Sequence, residues 1–229
     1  MKLAIDTSTR NAVIALHDGE NIRSREFEPG ATQKVIFTEL ASILDPDNLA
    51  ALEAVIVGLG PGSFTGVKIG VTAAKTLAWS RGIKIIGINS LDAVAENVPI
   101  PVKDSVTVVV GVPSTRGEAY IRTYTPFKNE WVPHPDILDI KIETDSLDRI
   151  LPENKLILAG ECAEQIFEKI VSIRECPIPD KDFLRPSAEG LFRLGMKSLI
   201  AGTFDDPAAL VPLYVRASQA ERKLEEGTK

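Results

Sequence analysis

The chain has 229 residues, 44% hydrophobic and 25% charged, an ordinary globular composition with room for one domain or two small lobes. A net charge of −6 argues against a broad phosphate-binding surface, so direct, tight binding of nucleic acid is not expected. Cys162 and Cys176 are too few and too far apart for a zinc knuckle or redox pair, and Asp6 breaks the only N-terminal apolar run. No segment is long and apolar enough to suggest a membrane partner, and a soluble, cytoplasmic protein is expected.

Residues 2–7, 12–17 and 21–27 predict three strands, with Asp18-Gly19 as a hairpin turn. Thr32 is placed to cap a helix that ends before Asp45-Pro46, with Ile36, Phe37, Leu40, Ile43 and Leu44 on one apolar arc. The run 54–57 reads as a buried strand, and a turn carrying Gly58, Gly60, Pro61 and Gly62 follows it. Ser63 or Thr65 then caps a helix to about Ser80, with Arg81-Gly82 as its basic, glycine-ended terminus. Along that helix Gly66, Gly70, Ala74 and Ala78 recur every fourth residue and form a stripe almost without side chains. Two readings of the stripe stand: it lies on the chain's own sheet, or it admits the close approach of a second chain.

A strand at 83–88 completes a βββαβαβ order, which mixes an antiparallel meander with parallel crossovers. Pro99 and Pro101 mark a seam, after which the order partly repeats. Strands are predicted at 106–112, 118–124, near 137–142 and at 156–159, with a short helix from Asp145 or Ser146 to 151. Gly160 follows its strand as Gly58 follows 54–57, and a helix over 163–171 comes next. The prolines of 173–186 predict a loop, Ser187 caps a last helix over 189–200, and 216–229 is a charged tail.

The residues that carry chemistry are few. Gly60 to Lys68 does not have phosphate-loop spacing. His17 and His134, the only histidines, are too distant in sequence for a His-x-x-x-His site, and no metal site is expected. Cys162 sits in a strand-to-helix turn where its pKa would fall, a nucleophile reading without a base. Asp6, Thr7 and Ser8 end the first strand, where a carboxylate reaches a nucleotide phosphate through a metal or else simply bonds the turn.

Leu3-Ala4-Ile5-Asp6-Thr7-Ser8-Thr9, the run 60–70 (GPGSFTGVKIG), Ser90-Leu91 and the ending Pro212-x-Tyr214-x-Arg216 together resemble the TsaB (YeaZ) family. That resemblance implies an α/β fold of two lobes, actin-like and sugar-kinase-like (ribonuclease H-like ATPase type), each lobe a mixed sheet flanked by helices. The lobes are expected at 1–104 and 105–215. It implies a non-catalytic partner of the TsaD-type subunit in tRNA threonylcarbamoyladenosine formation, helping to recruit a TsaE-type ATPase. The partner surface implied is the first two helices, carried over onto Ile36, Phe37, Leu40, Leu44, Gly66, Ile69, Gly70, Ala73, Ala74 and Leu77. No cofactor is assigned to the chain itself, ATP being placed at the junction of the complex. Two departures bear on nucleotide chemistry. Ser8 stands where actin-like ATPases carry the glycine of Asp-x-Gly, and Pro113-Ser114-Thr115 stands where the family has Asp-Ala-Arg. The rival readings are a nucleotide-dependent phosphotransferase using Asp6 and a self-associating homodimer.

Overall fold

The computed structural model describes residues 1–28, 34–101, 105–174 and 176–215. The predicted cap at Thr32 and the tail 216–229 lie outside them. Two five-stranded mixed sheets divide the chain. In the first, β1 (Lys2–Asp6), β2 (Ala12–His17) and β3 (Ile22–Phe27) form an antiparallel meander. β4 (Ala54–Gly58) and β5 (Lys84–Ile88) extend it in parallel from β1, in the order β3-β2-β1-β4-β5.

Alternation along β1 and β2 sends side chains to two buried layers. Leu3, Ile5, Ile14, Leu16, Val55 and Val57 face α1 (Lys34–Ile43) and α3 (Phe64–Arg81). Ala4, Val13, Ala15 and Ile56 face α7 (Ala188–Ala201). A short α2 (Pro46–Ala50), capped by Asp45 with Pro46 in its first turn, follows α1 and was missed as a helix because it is a single turn.

The second sheet repeats this order with one strand fewer on its main path. α4 (Ser90–Ala95) leads to β6 (Val106–Pro113) and β7 (Glu118–Phe127). β8 (Glu130–Pro133) and β9 (Leu138–Lys141) both pair with β7, and α5 (Leu147–Ile150) and β10 (Lys155–Ala159) follow. β10 runs parallel beside β6 as β4 runs beside β1, and α6 (Ala163–Ile170) leaves it as α3 leaves β4. The repeat read from element order is therefore present in the pairing itself.

The strands of the two sheets lie on either side of Pro101, and part of the chain after β10 packs on the first sheet. α7 buries Leu191 and Phe192 on the first sheet, Gly195 lies against Ile56, and Leu210 joins the first-sheet core. A parallel strand edge needs a covering layer on both faces, and this returning segment supplies the second one.

Candidate functional site

Two places could carry function: the loop junction at the end of β1, and the helical face of the first lobe. At the junction Asp6 is buried, and both of its carboxylate oxygens accept hydrogen bonds from the protein. Ser8 donates its N–H and hydroxyl to Asp6 Oδ1 at 2.8 and 2.6 Å, and Ser90 donates its hydroxyl to Oδ2 at 2.6 Å. Ser90 Oγ also accepts the Gly60 N–H at 3.0 Å, so β1, the glycine turn and α4 are joined through one hydroxyl. Burial pushes the Asp6 pKa above its ordinary value, against the lowering effect of those bonds. These bonds to Asp6 come from Ser8 in the adjoining turn and from Ser90.

A loop of the second sheet reaches this same junction. Arg10 donates its N–H to Glu161 Oε1 at 2.9 Å, tying the first lobe's β1–β2 loop to the turn after β10. Cys162, beside it, is buried and its thiol is pushed up to about 12 by burial and by the Glu161 charge. The expected lowering is thus reversed: α6 gives no side-chain cap and the neighbouring carboxylate repels a thiolate. Among the described residues no three His, Cys, Asp or Glu side chains gather as a ligand set.

The small stripe of α3 lies against this same strand end. A Cβ on Gly66 would sit 2.0 Å from the Thr7 carbonyl oxygen, and one on Gly70 would sit 2.3 Å from Thr7 Oγ1. Thr7 donates its hydroxyl to the Gly66 carbonyl at 2.6 Å, and Ser63 N–H meets the Ser8 carbonyl at 2.7 Å. Gly66, Gly70 and Ala74 are therefore buried in the chain's own core and do not form an open contact face. Ala73 and Ile36 are buried as well, while Leu40, Leu44, Ile69 and Leu77 are partly buried against the same core.

Of the residues carried over as the partner surface, Phe37 is the one left largely open, at 59% exposure. Two further exposed aromatics, Trp79 and Phe64, were not among the residues carried over as the partner surface. Trp79 is 70% exposed and lines a shallow depression of about 570 Å³ with Thr72, Lys75, Thr76 and Ser80. At the other end of α3, Phe64 is half exposed, its ring 5.7 Å from Tyr214 and 3.9 Å below the Lys68 ammonium. Positions 72, 76 and 79 follow helical spacing, so a Trp on an otherwise hydroxyl-rich stripe was the available signal.

The model for the family described as TsaD, tRNA N6-adenosine threonylcarbamoyltransferase, matches residues 37–182, more than half of the chain. The chain belongs to that family, in its TsaB (YeaZ) branch. It is 29% identical to the tRNA threonylcarbamoyladenosine biosynthesis protein TsaB of Bacillus subtilis, over 99% of both chains. It is 27% identical to the protein of that name from Escherichia coli, over 97% of each. The solved structure of YeaZ from Pseudomonas aeruginosa superposes with a TM-score of 0.74 at 22% identity, covering 93% of this chain and 98% of that one. The two-lobed α/β architecture is thus that of the YeaZ fold.

Proposed function

We propose that this chain is the scaffold subunit of a tRNA threonylcarbamoyladenosine-forming complex. In this reading it binds a TsaD-type catalytic subunit through α1 and α3 and helps recruit a TsaE-type ATPase near that contact. It supports transfer of the threonylcarbamoyl group to a tRNA adenosine without placing its own side chains on the reacting atoms. The observation that carries the reading is the exposure of one aromatic on each helix, Phe37 on α1 and Trp79 on α3, both helices being otherwise packed on the core. Large exposed apolar groups on a rigid layer are what partner surfaces present.

Against the rival phosphotransferase reading, each oxygen of Asp6 already accepts a hydrogen bond from Ser8 or Ser90. ATP is accordingly assigned to the junction with the partners. The same exposed aromatics support pairing with a second copy when the TsaD-type protein is absent.

Reconstituted transfer tests the reading. Product should form with TsaD-type and TsaE-type proteins, threonylcarbamoyl donor, ATP and tRNA only when this chain is added. It should fall at least tenfold with Phe37→Ala/Trp79→Ala and remain with Asp6→Asn. Full activity without the chain would overturn the proposal.

A further inference from the structure

Among the described residues β3 is the longest sheet edge left open. Along β5, Asp205 donates its N–H to the Ile85 carbonyl at 2.9 Å and takes the Gly87 N–H on Oδ2 at 2.7 Å. Along β10, Gly160 donates to the Phe183 carbonyl at 2.8 Å and Cys176 Sγ reaches the Leu156 carbonyl. On the far side of β7 the edge is broken between β8 and β9, four residues each. β3 is different. It has six residues, ends the sheet order, and leaves Arg23, Ser24, Arg25 and Glu26 exposed.

The hairpin sets which main-chain groups point outward. Asp18 donates to the Asn21 carbonyl at 3.2 Å, so that pair is hydrogen-bonded, and alternation makes Leu16/Arg23 and Ile14/Arg25 the bonded pairs beyond it. Ile22, Ser24 and Glu26 therefore turn their N–H and C=O groups away from β2. A strand added antiparallel would bond to those three residues. The positions opposite Arg23 and Arg25 would be the non-bonded pairs, in which facing side chains come closest.

Charge selects the occupant. Arg23 and Arg25 lie on one face of β3, and neither has a hydrogen-bonding or ion-pairing side-chain partner among the described residues of a chain with net charge −6. Glu26, on the other face, is held by Arg185 at 2.6 Å. A second copy is disfavoured. Two-fold registers centred on Arg23, Ser24 or Arg25 each set arginine opposite arginine, which opposes pairing. We propose that the outer edge of β3 docks an extended acidic segment of a partner protein, added antiparallel with carboxylates two residues apart opposite Arg23 and Arg25. The open ladder favours a polypeptide over RNA, because only a polypeptide matches alternating N–H and C=O groups. This site is separate from the α1/α3 aromatics and does not depend on the scaffold reading.

The test uses the full chain, amide NMR spectra, and the blocked peptide Thr-Val-Glu-Thr-Glu-Val-Thr at millimolar concentration. Shifts should concentrate on β3 and β2. Arg23→Ala/Arg25→Ala should weaken binding roughly three- to tenfold. Ser24→Pro should abolish it, since the lost N–H points outward and the β2 ladder is spared. As a control that needs no mutant, N-methylation of the peptide's central Thr should also abolish binding. The proposal is overturned by absence of shifts on β3, by equal binding of the N-methylated peptide, or by unmodified tRNA shifting the same amides while the peptide does not.

Discussion

Gly66→Ala tests the assignment of the small stripe to the chain's own core. Helix propensity alone favours alanine by about 1 kcal/mol. Against it, the new Cβ would lie 2.0 Å from the Thr7 carbonyl oxygen, whereas relaxed C···O contacts lie at about 3.3 Å or more. The obstacle is main chain, so no rotamer change relieves it, and α3 must move off the end of β1. Overpacking of this kind costs about 1–3 kcal/mol. The shift also stretches the buried 2.6 Å bond from the Thr7 hydroxyl to the Gly66 carbonyl, worth about 1 kcal/mol. The net loss is about 2 kcal/mol, which for a chain of this size lowers Tm by roughly 4–8 °C. Urea and thermal unfolding followed by circular dichroism read it directly. Gly70→Ala should lose less, because its obstacle is the Thr7 side-chain oxygen at 2.3 Å, which can rotate. A Gly66→Ala protein as stable as the parent, or more stable, would refute the close-approach argument and return the stripe to the surface.

Phe37→Ala/Trp79→Ala should leave unfolding within about 0.5 kcal/mol of the parent, as surface changes do, while affinity for a TsaD-type protein measured by calorimetry falls at least tenfold. Asp6 has a folded-state pKa raised above 3.8 by burial, so the native state holds that proton more tightly than the unfolded chain. Its contribution is present below 3.8 and lost as pH rises through the raised value. The stability of the parent relative to Asp6→Asn should therefore decline across that window, and a difference that rises with pH would contradict the sign. Cys162, with its thiol at about 12, should resist iodoacetamide at pH 8 in the native protein and be labelled only as fast as the chain unfolds, as read by mass spectrometry.

Much of the architecture was legible because local rules agreed with the fold. The Asp18-Gly19 hairpin, the Ser63 and Ser187 caps and the glycine end at Gly82 all stand where turn and cap chemistry put them. The β8 turn was not, since Lys128 and Asn129 adopt positive φ without a glycine to announce it. The return of α7 to the first lobe was invisible for a different reason: periodicity gives a helix an apolar face but not the sheet it covers. At the site, spacing found the stripe but could not orient it. The Thr7 carbonyl that decides its direction lies 59 residues away in sequence. Phe37 was read correctly as part of an apolar arc, yet it is the member of that arc left in solvent. The arc is wider than the core it covers, and that excess is the candidate contact.

Size exclusion with light scattering, run on this chain, on the TsaD-type protein of the same cell and on their mixture, addresses the scaffold claim most directly. The account predicts a mixed species heavier than either component, lost when Phe37→Ala/Trp79→Ala replaces the parent chain. Unchanged elution of both proteins, with and without ATP and the TsaE-type protein, would contradict it.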